Sequence, residues 1–148
     1  MASKISQKRK VLEVGKYLGR NRLMAISTSA NNKPWSATVF FAYDKNFNIL
    51  FYSHDETRHC KEIRRNANVS IAVNHTWQRE GGINGLQITG NAKKVGAKDY
   101  KKYYALYRKR FKWADRFKAD HKLYLVKPRE IWLIDEKLFG HFNRVKVI

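Results

Sequence analysis

The chain has 148 residues, and its 43% hydrophobic content is enough to bury a real core, which predicts a single domain over residues 1–148. Lys and Arg number 31 against 12 Asp and Glu, a formal charge of +19, which implies attraction to polyanions: nucleic acid, an anionic membrane surface or a phosphorylated small molecule. The one cysteine, Cys60, excludes an intramolecular disulfide; no apolar run follows the basic start as in a signal peptide, and no window reaches the ~20 apolar residues of a spanning helix, so the cytosol is the expected compartment.

Residues 4–19 predict a helix, with Ile5, Val11, Leu12, Gly15 and Leu18 on one stripe and Lys8, Arg9, Lys10 and Lys16 mostly outside it. The stripe is narrow and lacks Trp or Phe, which favours an N-terminal helix (residues 1–20) packed on a sheet over a membrane-surface helix. Residues 23–29 form a first strand, and Asn31-Asn32-Lys33 supplies turn chemistry. A second strand (35–43), an Asx-rich loop and a third strand (49–53) make a hairpin. Asp55-Glu56-Thr57 then sits where a helix begins, with Asp55 or Thr57 as its cap, and that helix runs to about Arg65. Cys60 and Ile63 share its apolar face, so Cys60 reads as a small buried hydrophobe.

A fourth strand covers 69–73 and extends toward Trp77. A loop with Gly81-Gly82 leads to a fifth strand (86–95), where Gly90 marks a bulge or a close backbone approach. Residues 97–112 are helical, with Tyr100, Tyr103, Tyr104, Tyr107 and Phe111 on one stripe and the cations largely on the other side. That separation describes a packed amphipathic helix rather than tyrosines stacking on bases. Two further strand segments, 123–126 and 130–134, are separated by Pro128, and the tail (138–148) can end in a short strand. Short strands joined by hairpins argue for a mainly β fold, an antiparallel barrel carrying peripheral helices.

Several chemistries lack their residues. There is no glycine-rich dinucleotide fingerprint and no phosphate loop, and the five histidines show no metal-ligand spacing, so no metal is expected. What remains is the stretch from Pro34 to Asn66. Thr57, Arg58 and His59 place a hydroxyl, a guanidinium and an imidazole at a helix start, where free backbone N–H groups already favour an anion.

Taken with the strand ATVFFAYD, the run ILFYSHDETRHCKEIRRNANVSIAV and the strand GLQITGNAKKV, this order of elements resembles the pyridoxamine 5'-phosphate oxidase-like FMN-binding split barrels, and closest a small uncharacterised bacterial branch. The resemblance covers residues 23–144. It implies a six-stranded antiparallel Greek-key split β-barrel, a homodimer with FMN at the interface, and an FMN-dependent oxidoreductase with no nameable catalytic acid or base. It also implies that Thr57, Arg58 and His59 bind the FMN phosphate, that Ser53 touches the cofactor, that the strand at Thr38, Val39 and Phe40 lies along the isoalloxazine ring, and that Gln87 is a polar cofactor neighbour. The sequence departs from the true oxidases at Ala37 and Ala42, where the family has cations, and in lacking their substrate-binding tail. Vitamin B6 phosphate oxidation is therefore not inferred. Two alternatives stay open: a deazaflavin or haem in place of FMN on the same barrel, and a non-enzymatic flavin or nucleic-acid binding protein.

Overall fold

The computed structural model describes residues 4–148. Helix α1 (Gln7–Arg20) starts at Ser6, whose side chain accepts the Arg9 N–H. Strands β1 (Leu23–Ala30) and β2 (Lys33–Tyr43) are joined through Asn31 and Asn32, both at positive φ (51° and 59°), the geometry of a two-residue hairpin turn that asparagine tolerates. Strand β3 (Ile49–His54) follows a loop in which Asp44 accepts the N–H groups of Asn46 and Asn48. Then come α2 (Arg58–Arg65), β4 (Asn68–Val73), β5 (Asn84–Lys94), α3 (Ala97–Arg110), a 3-10 turn (Lys112–Phe117), β6 (His121–Asp135), α4 (Glu136–Phe139) and β7 (Arg144–Lys146).

The seven strands run in the order β3-β2-β1-β4-β5-β6-β7, all pairs antiparallel, and β3 also pairs with β6. Strands β1 to β6 therefore close into a ring, and β7 is appended to β6. The return of β4 beside β1 after the β1-β2-β3 meander is the Greek-key arrangement, so the chain folds as the antiparallel Greek-key split barrel expected, with one extra short strand. Alternate residues of β1, β2, β4 and β5 fill its interior, including Met24, Ile26, Val39, Phe41, Ile71 and Ile88. A second apolar layer, with Tyr104, Tyr107 and Phe111 of the α3 stripe, packs on the outer side of β3 through Leu50 and Tyr52. Strand β3 is thus buried on both faces.

Three expectations need correction. The buried face of α1 is Val14, Tyr17 and Leu18, while Val11 and Leu12 are 37% and 52% exposed. The helix is rotated from the expected stripe because Tyr17 goes in, its hydroxyl satisfied by Asn84 O at 3.1 Å and His75 Nδ1 at 2.9 Å. The fourth strand ends at Val73, and Trp77 lies in the following loop, 93% exposed. Pro128 does not divide β6: it sits opposite Gly90 where the β5–β6 register slips, a bulge at which the ladder needs no proline N–H. The Gly90 expectation holds at the same spot, since a Cβ there would lie 2.4 Å from Lys127 O. No helix among the described residues is long and apolar enough to cross a membrane, and no group of potential metal ligands occurs among them.

Candidate functional site

Strand β2 is longer than its partner allows. It pairs with β3 only at Phe41↔Phe51, Ala42↔Leu50 and Tyr43↔Ile49. The same register carried further would set Val39 opposite Ser53 and Thr38 opposite His54, but those pairs do not form; β3 stays paired to β6 through His54 instead. A split opens between the two strands, with Thr38, Val39 and Phe40 on one wall and Ser53 on the other. The Phe41 N–H bonds to Arg22 O on the β1 side at 3.0 Å. Backbone groups alternate along a strand, so the N–H and C=O groups of Thr38 face the split, beyond the last β2–β3 pair at Phe41↔Phe51.

Helix α2 begins at the end of that split. Neither expected cap operates: Thr57 is the N-cap residue but makes no side-chain cap bond. Its hydroxyl donates to His54 O at 2.9 Å instead. Asp55 is engaged elsewhere, accepting from Lys94 Nζ at 2.7 Å and from the Tyr124 hydroxyl, which hold its carboxyl below the usual range. The first helical bond runs from Lys61 N to Thr57 O at 3.0 Å, which leaves the N–H groups of Arg58, His59 and Cys60 uncapped by any side chain.

Side chains around this turn fall into two groups. His59 is 8% exposed, with Nε2 at 3.0 Å from Ser53 Oγ and 3.3 Å from Thr57 Oγ1. Because the Thr57 proton goes to His54 O, Thr57 Oγ1 can only accept from His59, so Nε2 carries the ring proton. Burial pushes the His59 pKa down, so the imidazole is neutral at neutral pH. Burial likewise pushes the Cys60 thiol up, as suits a packed, inert side chain. Arg58 is the charged member. Its Nε donates to Glu62 Oε2 at 3.0 Å and its guanidinium stacks 4.3 Å from the Trp35 ring centroid, leaving both terminal nitrogens available. Glu62 is held in turn by the Thr28 hydroxyl at 2.7 Å, and that bond followed by Arg58 lowers its pKa. A cleft of about 440 Å³ lies beside the turn, with Lys33, Arg58, Lys61 and Arg65 among its lining residues.

Of the sequence-predicted site residues, Ser53, Thr57, Arg58 and His59 form one cluster, with Thr38, Val39 and Phe40 across the split. Gln87 is apart. It lies on the outer face of the barrel in the row Thr38–Ala25–Ala72–Gln87–Trp132, three strands from Thr38 or about 14 Å. Ala42 is 2% exposed in the layer under α3, far along β2 from Trp35, and half-buried Ala37 packs on the core. Sequence reading missed Glu62, Trp35 and Thr28. The four-residue spacing of Arg58 and Glu62 was a visible signal, whereas the reach of Trp35 and Thr28 to α2 depends on barrel closure.

The outer rows of β2, β1, β4 and β5 are exposed or half-exposed and carry small or neutral side chains: Ser36, Ser27, Ser70 and Thr89 in one row, Thr38, Ala25, Ala72 and Gln87 in the next, with Glu130 and Trp132 of β6 at the ends of the two rows. Leu23 and Phe40, 47% and 41% exposed, extend this face toward the start of β1.

A family model described as pyridoxamine 5'-phosphate oxidase matches residues 12–135. A UPF0306 protein from Klebsiella pneumoniae is 27% identical over 137 residues, covering 88% of this chain and 91% of that one. Among solved structures, the protein Atu2129 of unknown function from Agrobacterium tumefaciens superposes with a TM-score of 0.74 at 16% identity over 90% of this chain, which spans only 59% of that longer one. A FAD-binding protein from Mesorhizobium loti gives a TM-score of 0.68 at 18% identity, covering 81% and 88% of the two chains. The haem storage protein HutZ from Vibrio cholerae gives 0.72 at 16% identity, covering 84% and 92%. At these identities the structural likeness is one of fold.

Proposed function

The chain belongs to the pyridoxamine 5'-phosphate oxidase family, and on that premise we propose that it is an FMN-binding flavoprotein that acts, as a homodimer, as an oxidoreductase on a small-molecule substrate. The observation that carries this reading is the split between β2 and β3 with an uncapped helix start at its end. One wall offers unpaired backbone groups to a flat polar ring, and the helix start offers N–H groups to a phosphate. The FAD-binding neighbour supports a flavin in such a barrel.

In this reading Arg58 supplies the formal charge for the phosphate through its two free terminal nitrogens, oriented by Glu62 and Trp35. Thr57 adds its hydroxyl when that proton turns from His54 O to the phosphate. Ser53 and neutral His59 hold Thr57 in place. Thr38, Val39 and Phe40 orient the ring, and Gln87 belongs to the surface that a second copy covers. When bound, the flavin supplies the redox chemistry, and the protein supplies binding and orientation. The residues present fit such a group, with one cation at the helix start where two or three would hold a phosphate more tightly. The bare, small-residue outer face of β2, β1, β4 and β5 supports the homodimer, because flat exposed sheet faces of this kind are suited to burial against a copy of themselves.

The test is the absorbance spectrum of freshly purified protein, followed by FMN titration. The expected result is a flavin spectrum, or saturable FMN binding by colourless protein. A haem spectrum would instead place the chain with HutZ-like function, and protein that FMN leaves unchanged would overturn the reading. Arg58→Ala loses charge-assisted bonds of about 1.5–3 kcal/mol each, so FMN affinity falls at least about tenfold while the fold survives. Unchanged affinity would remove Arg58 from the phosphate seat.

A further inference from the structure

A second cleft, of about 630 Å³, lies between α1, the segment 74–83 and the β6–α4 junction. It adjoins Asn21, at the start of β1, whereas the α2 cluster meets β1 at Thr28 near its far end. The two clefts are therefore separate sites.

Tyr17, 1% exposed, is among its lining residues and meets two partners: Asn84 O at 3.1 Å and His75 Nδ1 at 2.9 Å. A hydroxyl has one proton, and a carbonyl can only accept, so the proton goes to Asn84 O. His75 Nδ1 must then be the donor to the tyrosine oxygen. This fixes the imidazole as the Nδ1–H tautomer and leaves the Nε2 lone pair free on an exposed residue that lines the cleft.

Charges in the cleft are unevenly engaged. Glu13 pairs with Arg9 at 2.6 Å and with Lys16 at 3.7 Å. Asp135 accepts the Lys137 and Leu138 N–H groups at 3.1 Å each and Asn84 Nδ2 at 3.2 Å. Arg20 and Lys137 line the same cleft, and no ion pair engages either among the described residues. Arg20 stands 5.7 Å from the Tyr17 ring centroid, so it is anchored without being neutralised.

We propose that this cleft binds a small phosphomonoester, its two negative charges held by Arg20 and Lys137 and a hydroxyl of its organic part donating to His75 Nε2. Two cations without ion-pair partners in one cleft match a dianion, and a fixed acceptor lining the same cleft selects a ligand that also carries a donor.

Glycerol 3-phosphate serves as the probe, titrated calorimetrically into the full chain. Saturable binding is expected. The double variant Arg20→Gln/Lys137→Gln, on exposed side chains that leave the core intact, weakens it about tenfold or more. Arg58→Ala leaves it unchanged, which separates this cleft from the helix start of α2. His75→Asn weakens glycerol 3-phosphate but not inorganic phosphate. Absence of saturable binding, equal binding by the double variant, or lactate binding as tightly as the phosphate ester would each overturn the assignment.

Discussion

Gly90→Ala probes the point on which the barrel turns. A Cβ at residue 90 would lie 2.4 Å from Lys127 O and 3.0 Å from Val126 Cγ1. A carbon–oxygen contact is comfortable at about 3.3 Å or beyond, so the overlap with Lys127 O is roughly 0.9 Å. The obstacle is backbone, held by β5–β6 pairs on both sides of the bulge, and β5 is pinned on its other edge by Val69↔Gly90. Overpacking of this kind costs about 1–3 kcal/mol, offset by about 0.4–1 kcal/mol from the lower chain entropy of alanine in the unfolded state. Because the obstacle is backbone, the cost falls at the upper end of that range, and the net expectation is a loss of about 2–2.6 kcal/mol, or roughly 6–8 °C in midpoint for a chain of this size. Urea unfolding followed by tryptophan fluorescence measures it, with an unchanged slope expected if only the native state is strained. Equal or greater stability in the variant would mean that the two strands can separate freely at the bulge, and the close-approach argument would fail.

Further outcomes follow from other features. Ala72→Arg places a charge at the centre of the bare outer face, so sedimentation should show a monomer for the variant and the proposed dimer for the wild-type chain; a dimer in both would put the interface elsewhere. Asp55, Glu62 and Asp115 all have folded pKa values below their ordinary ones, with Asp115 held at about 2 by Tyr104 and Arg108. A lowered carboxylate contributes stability above its unfolded pKa and loses it as pH falls through the folded value, so the urea midpoint should decline from about pH 4 downward. A flat profile down to pH 2 would contradict these pairings. His59 has the same sign by a different route: burial disfavours its cation, so the unfolded chain takes up that proton first as pH drops below about 6.5. Its NMR titration midpoint should lie below that ordinary value, and a higher one would show that the ring is charged beside Ser53.

Local chemistry made much of the barrel legible. Asn31-Asn32 can adopt positive φ, so the β1–β2 hairpin was readable from two residues. The α3 stripe was readable because its tyrosines and cations segregate at helical spacing. The features that escaped depend on neighbours distant in sequence. Tyr17 faces inward only because Asn84 and His75 satisfy its hydroxyl, and Pro128 sits inside a long strand only because Gly90 opposes it with a bulge. At the candidate site, the cluster of Ser53, Thr57, Arg58 and His59 follows from a strand running into a helix. The split facing it does not, since it arises where β3 leaves β2 for β6. Arg110 is a further case. It donates to the carbonyl oxygens of Phe41, Leu18 and Asn21, tying α3 to β2 and α1, and nothing in its local sequence marks it for that role.

Ring closure through β3 and β6 bears on how the chain is made. During synthesis, the strands from β1 to β5 emerge with no partner for the outer edges of β3 and β5 until β6 follows, after the whole of α3. A nascent chain in that state offers two strand edges to its neighbours on a polysome, a route to misassembly. The excess of lysine and arginine over the chain as a whole makes incomplete chains repel one another. Part of the +19 charge can thus be understood as protection for the interval before closure, a role that ends once β6 docks.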